Sequence, residues 1–451
     1  MKKFNKEKYL KKLKFKKYKR YLYIGIPCIL VLLIGIYFAY SKFSVFKEEE
    51  VVRTTVGEFI YGDVVIGAYI DGEYSKSIPG KNDGYIVDKI VCDNNASASW
   101  DNNSWGIVLT NLTKRTKCNV YFETKKPSLN EAVTTAMNNN PSMFAVDDPG
   151  KNVRYIGANP NNYVYFNCSD YNNPTADTCE LWRIIGVFNN VTKSDGSKEN
   201  LVKIIRADSL GNYSWDNKDT STGAETKYGK NDWTTASLNY LLNPGHDSES
   251  IGGSLYYNAK SGTCYYGQNN ATTSCDFTST GLKNDTTRNA IEEVVWNLGG
   301  TSDFTSARNG LASHWYGYER GTTVYSGRPT TWTGKVGLMY PSDYGYATSG
   351  GTTKDRAACL AKELYNWDSS DFSDCKGNDY LYNSSLYQWT LAPYSAYAYR
   401  VFSVNSDGDV ASTIAYIPVG VRPALFLKSN IVVKSGTGES SNPYQLKLGI
   451  D

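Results

Sequence analysis

Histidine is almost missing: His246 and His314 are the only two in 451 residues. A Ser-His-Asp or Cys-His catalyst needs an imidazole held by a third group, so such chemistry starts with few candidates. His246 sits in Asn243-Pro-Gly-His, a turn composition that predicts exposure. His314, in Ser313-His-Trp-Tyr, is the better placed of the two, although a rim or core histidine is the commoner role. No CxxC pair occurs, which together with the scarce histidine disfavours structural zinc. No EF-hand spacing occurs either. A single long uncharged run interrupts an otherwise polar chain of mean hydropathy −0.46.

Basic residues are scarce where a nucleic acid would need them. The formal charge of +3 is concentrated in residues 1–20, which carry eleven Lys and Arg against one Glu. The remaining 431 residues therefore sum to −7. Phosphate would meet repulsion there rather than counterion release, so no nucleic-acid partner is expected.

What is abundant is tyrosine, at 37 residues, together with 39 glycines and many Asn, Ser and Thr. That profile fits a secreted all-β or α+β protein with long polar loops. Eight of the nine cysteines fall into close pairs: Cys92 with Cys118, Cys168 with Cys179, Cys264 with Cys275, Cys359 with Cys375. Four local disulfides are the simplest arrangement and imply an oxidising compartment, although spacing alone permits other pairings. Cys28 lies within the uncharged run.

In chain order, residues 1–20 read as a cytoplasmic basic leader able to lie on anionic lipid, at about 1 kcal/mol per basic residue near the surface. Residues 21–40 are uncharged and long enough for a transmembrane helix, with Tyr21, Tyr23, Tyr37 and Tyr40 at the interfaces. The charge asymmetry puts the rest outside the cell, as a single-pass membrane protein. A cleaved signal peptide is the competing reading, with Ala39-Tyr-Ser41 as its site.

Residues 51–125 read as a small antiparallel β domain, an Ig-like or β-repeat spacer stapled by Cys92 and Cys118. Residues 126–150 read as a helix and linker, the helix opened by the capping box Ser128-Leu-Asn-Glu131. Residues 151–451 form the large domain. Strands are expected at 153–156, 163–167, 181–188 and 201–206, and helices at 234–242 and 286–298. In the second helix Ile291, Val294, Val295 and Leu298 would share one face. Two loop-rich insertions, 245–280 and 352–387, each hold one cysteine pair.

The closing stretch, residues 389–427, carries the densest signals. Tyr399–Val404 and Gly420–Leu427 read as strands, and Asp407-Gly408 supplies the positive φ of a tight turn. Around them Tyr394, Tyr397, Tyr399 and Tyr416, with Asn405, Asp407 and Asp409, have the composition of a recognition surface. Tyrosines also pack on sheets without any such role, and composition alone leaves both readings open.

Trp389-Thr-Leu followed by Gly420-Val-Arg-Pro-Ala-Leu425 resembles the closing core of the C-type-lectin-like fold, in the branch shared with formylglycine-generating enzymes. With Asn152–Asn162 and Leu181–Phe188, it is more similar to domains of unknown function on Gram-positive surfaces. The resemblance spans residues 145–430. It implies an α+β lectin-like domain with long disulfide-closed loops. The copper-holding cysteine pair of those enzymes, near the closing strand, has no counterpart, since no cysteine follows Cys375.

The resulting expectation is an α+β, membrane-anchored extracellular protein that binds a glycan or protein ligand without chemistry. The alternative is an envelope-acting enzyme, for which Asp343, Glu319 and Glu363 are candidate carboxylates. No cofactor is expected beyond calcium, for which Asp368, Asp371 and Asp374 are the candidates, with Asx-turns as the competing role. Arg422 interrupts an apolar strand, and Asp343 or Glu180 is expected to pair with it.

Overall fold

Short runs rich in Val, Ile, Tyr and Thr, broken by Asn, Asp and Gly turns, dictate a fold built from sheets. The computed structural model describes residues 58–61, 64–110, 116–217 and 227–448, and is mostly β. This corrects the expected α+β class. The longest described helix, Leu129–Asn139, has 11 residues, and among the described residues no helix is long and apolar enough to cross a membrane. The leader and transmembrane helix expected at residues 1–40 lie outside the described residues. The chain divides into two compact units, residues 1–125 and 126–451.

The first unit contains β1 (Glu58–Tyr61), β2 (Val64–Ile70), β3 (Glu73–Ser75), β4 (Tyr85–Cys92), β5 (Ser97–Asp101), β6 (Gly106–Thr110) and β7 (Thr116–Thr124). Its main sheet runs β1-β2-β7-β4, with β3 on β2. The expected all-antiparallel sheet is corrected to a mixed one, because β2 and β7 pair in parallel. Alternation along β7 buries Cys118, Val120 and Phe122 while the residues between them stay partly open. Trp100 packs edge-on against Phe122 at 5.3 Å. Cys92 and Cys118 are directly opposite on β4 and β7 and form a disulfide.

The second unit opens with the helix Leu129–Asn139, capped reciprocally by Ser128 and Glu131 as its capping box predicts. Next come β8 (Phe144–Ala145), β9 (Val153–Tyr155), β10 (Tyr163–Phe166), β11 (Glu180–Thr192), β12 (Lys198–Arg206) and β13 (Asn212–Tyr213). The hairpin β14 (Ser261–Tyr265) and β15 (Thr272–Asp276) is cross-linked by Cys264–Cys275. After it come β16 (Val294–Asn297), β17 (Thr331–Gly334), β18 (Val336–Gly337), β19 (Gln388–Pro393), β20 (Arg400–Val404), β21 (Val410–Ile414), β22 (Val419–Gly420), β23 (Ala424–Leu427), β24 (Val432–Ser435) and β25 (Gln445–Lys447).

Two sheets carry this unit. One has the order β18-β23-β12-β11-β9-β8 with β10 also on β11; the other runs β13-β22-β19-β20-β21. Bulges bend β11 near Gly186, where any Cβ would collide with the Val153 carbonyl. One continuous core holds both sheets, with Trp182, Trp215, Trp296, Trp315, Trp367 and Trp389 all buried.

Two expectations about local structure change. The helix expected over 286–298 ends at Ala290, and Val294–Asn297 becomes β16, paired with β17. The β-branched pair Val294-Val295 with Trp296 suits a sheet position better than a helix turn, and Asn284 supplies the cap. The closing run 420–427 is split: Val419–Gly420 joins one sheet and Ala424–Leu427 the other, with Val421-Arg422-Pro423 as the crossing. Proline, lacking an N–H, cannot continue the first ladder.

Candidate functional site

At the centre of the larger unit lies a buried ionic cluster. The middle of β12 is apolar except for Lys203, fully buried, whose Nζ donates to Asp343 at 2.5 Å. Arg154 on β9 donates to the other Asp343 oxygen at 2.9 Å and to Asp148 at 2.5 Å. The Tyr340 amide also donates to Asp343, which thereby caps the helix Pro341–Ala347. Burial acts to raise the Asp343 carboxyl, but Lys203 and Arg154 overcome it and hold the group at about 2.

Glu319 stands beside this cluster and behaves oppositely. Burial pushes its carboxyl up to about 7, although Arg320 and Ser342 oppose the rise. It accepts from the Ser342 amide at 2.8 Å, from the Ser342 hydroxyl at 2.5 Å and from Arg320 at 3.0 Å. Two carboxyls with acidities driven apart form the pattern of an acid–base pair. Both are sealed from water and occupied by internal partners. Glu363, the third carboxylate candidate, is apart from them, accepting from Asn366 and paired with Lys362.

A cavity of about 150 Å³ opens next to the cluster. Lys203 lies at its base among the rings of Tyr340, Trp296, Phe188 and Phe426, which are 4.4–5.6 Å from its ammonium. Arg320 and Tyr316 stand at its edge, the guanidinium 3.4 Å from the ring centre.

The closing hairpin divides the expected ligand residues between its two ends. The turn forms between β20 and β21, with Gly408 at φ +98° and the Asn405 amide donating to the Asp409 carbonyl. Asn405, Asp407 and Asp409 are at this end, and Lys376, Tyr344 and Tyr382 bind its carbonyls. Burial, then Asp407, pushes the Asp409 carboxyl up to about 7. Tyr397, Tyr399 and Tyr416 lie at the other end. A five-residue strand separates the two groups by roughly 17 Å. The face expected to be continuous is therefore two clusters.

At the tyrosine end Tyr397 is 46% exposed, and Tyr399 and Tyr416 are half-buried. Tyr228, missed in the sequence, lies 5.0 Å from Tyr399 and 6.1 Å from Tyr416, and Tyr397 is 5.9 Å from Tyr399. Four rings thus form a strip. Tyr394, expected on this face, is instead 2% exposed and packs on Phe402. The strip rests on a pinned loop: the Asn231 amide donates to the carbonyls of Tyr394, Tyr397 and Arg400, and Arg328 to that of Ala398.

The remaining candidates are placed as follows. The Asp374 carboxylate accepts from the Thr353 and Lys354 amides, and the Asp368 carbonyl accepts from Lys376. No cluster of three or more metal-ligating His, Cys, Asp or Glu occurs among the described residues. His314 is exposed, near the Asn309 carbonyl, while His246, expected to be free in solvent, stacks on Tyr240 at 4.0 Å. Arg422 takes neither expected carboxylate. It donates to Gln388 at 2.8 Å and to the carbonyls of Leu381 and Arg206, because Asp343 is held by Lys203 and Glu180 by Arg206. Burial pushes its guanidinium down to about 10.

All four expected cysteine pairs are disulfides. No curated protein and no solved structure matches the chain. Residues 342–429, which include Asp343, the Cys359–Cys375 bridge and the closing hairpin, match one family, described as a domain of unknown function, DUF6273.

Proposed function

We propose that the larger unit is a non-enzymatic binding module of an oxidising, extracytoplasmic compartment, taking an extracellular glycan or protein on the strip of Tyr397, Tyr399, Tyr228 and Tyr416. The observation that carries this reading is a row of rings on a pre-pinned loop. Asn231 holds three carbonyls of that loop, so little ordering cost falls on the bound state. Tyrosine supplies a flat apolar face and a hydroxyl with only two side-chain torsions to freeze. Arg400, 5.8 Å from the Tyr397 ring, adds charge beside the strip. Four disulfides agree with the compartment.

Glu319 and Asp343, the neighbouring carboxyls whose acidities are driven apart, are buried and fully engaged, which favours binding over hydrolysis there. The test is binding of the oxidised chain to immobilised glycans and to intact bacterial cells, with Tyr399→Ala and Tyr416→Ala beside it. Loss of at least tenfold in affinity with unchanged thermal unfolding is the expected result. Unaltered binding by the double variant would remove the strip from the proposal.

A further inference from the structure

We propose that the cavity between Lys203 and Arg320 is a second, small-molecule site, which takes a six-membered ring bearing one carboxylate. It uses none of the strip residues, and stands or falls apart from them.

The size comes first. The cavity holds about 150 Å³, and an apolar cavity of about that volume in another protein accepts benzene. Trp296, Phe426 and Tyr340, all nearly sealed from bulk water, line one part of it, and Asn189, Asn190, Thr192 and Asn297 another. The aromatic part suits either an aromatic ring or the C–H face of a pyranose, and the amides beside it suit the polar groups such a ring carries.

The charge comes second. No carboxylate lines the cavity. The acidic partners, Asp343 and Glu319, stand behind the two basic side chains that do. Lys203 has three N–H donors and one side-chain acceptor, Asp343. Arg320 spends Nη1 on the Tyr316 carbonyl and on Glu319. Its Nε and Nη2 have no acceptor among the described residues, and its side chain is 27% exposed, with the guanidinium carbon 3.4 Å from the centre of the Tyr316 ring. A guanidinium held over a ring, with one N–H edge unused, matches the two oxygens of a carboxylate. The ring would lie against Trp296 and the acid group would meet Arg320.

Two sources share this chemistry, an aromatic acid and a uronic acid, and the experiment separates them. Benzoate, benzamide, glucuronate and glucose are titrated into the oxidised full chain, with tryptophan fluorescence and calorimetry as readouts. One acid is expected to bind at least tenfold tighter than its neutral counterpart. Arg320→Gln should abolish that preference, and Val295→Phe, which narrows the cavity from its wall, should abolish binding while the chain stays folded. Preference for benzoate identifies an aromatic acid, and for glucuronate an acidic sugar. Equal binding of acid and neutral forms, survival of the preference in Arg320→Gln, or no saturable binding of any of the four would overturn the proposal.

Discussion

Asp343 accepts from Lys203 at 2.5 Å although 140 residues separate them in the chain, and both side chains are sealed from water. The contact joins the helix Pro341–Ala347 to the middle of β12, and Arg154 extends it to β9. Desolvating such a pair costs nearly as much as its attraction returns, so its presence is weak evidence for stability. Stranding one member is a different matter.

Asp343→Ala is therefore expected to destabilise the larger unit by about 3–5 kcal/mol, since it leaves Lys203 charged and unpaired and Arg154 with Asp148 alone. Lys203→Met alone should cost a similar amount. The double variant Lys203→Met/Asp343→Ala should cost less than the sum of the two singles, because no lysine charge remains without its partner. Urea midpoints followed by tryptophan fluorescence at pH 7 measure this. Strict additivity would mean the pair is not coupled.

Glu319 predicts a pH dependence of opposite sign to Asp343. Its carboxyl is near 7 when folded against an ordinary 4.5, so the folded state holds the extra proton between those values. Stability from this group is fully present below about 4.5 and is lost as pH rises through about 7. Asp343, near 2 against 3.8, contributes stability above 3.8 that is lost as pH falls through 2. Glu319→Gln should reduce the decline between pH 5 and 8 to the share of Asp409, whose carboxyl is also pushed up to about 7, while leaving acid unfolding unchanged. The groups facing it are Arg320, Ser342 and Asp343, and none of them ordinarily titrates in that window. A decline of undiminished size in Glu319→Gln would assign it elsewhere.

Local chemistry made much of this legible. Ser128 and Glu131 announce a helix start, Asp407-Gly408 a turn, and paired cysteines a cross-link, because each acts over a few residues. The ionic cluster was hidden for the opposite reason. Lys203 within Leu201-Val-Lys-Ile-Ile and Arg154 within Val153-Arg-Tyr were visible as charges inside apolar strands, but their partner is set by sheet order. Arg422 gave the same signal and took Gln388 and two carbonyls instead of a carboxylate. The failed helix at 286–298 shows propensity overridden: spacing placed Ile291, Val294 and Leu298 on one helical face, and pairing with β17 decided otherwise. Tyr228 could not be joined to Tyr399 and Tyr416 from spacing, since about 170 residues of intervening chain say nothing about proximity.

The Cys359–Cys375 bridge is expected to matter beyond its own loop. Cys375 precedes Lys376, which donates to the carbonyls of Asp368 and Asp407 and so fastens the hairpin turn. Replacing both cysteines by alanine should cost about 3 kcal/mol through loop entropy. Amide exchange at Asn405 and Gly408 should also accelerate. The Cys264–Cys275 replacement, in a separate hairpin, should leave those two amides unchanged. Equal protection of both amides in the two variants would show that the turn does not depend on Lys376.

Tyr394 and Tyr397 adjoin in one loop, with ring centres 5.4 Å apart, yet they should respond differently to substitution. Tyr394 is a core residue whose hydroxyl is buried and makes no hydrogen bond, while its ring fills space against Phe402. Tyr394→Ala should therefore cost about 3–5 kcal/mol. Tyr394→Phe removes only the unsatisfied hydroxyl and should be neutral or slightly stabilising. Tyr397→Ala, at a ring nearly half in water, should move stability by no more than about 0.5 kcal/mol. If that change weakens ligand binding while Tyr394→Phe does not, the binding energy resides in the exposed rings. If Tyr394→Phe weakens binding as much as Tyr397→Ala, the ligand enters the loop rather than lying on it, and the strip has been drawn in the wrong place.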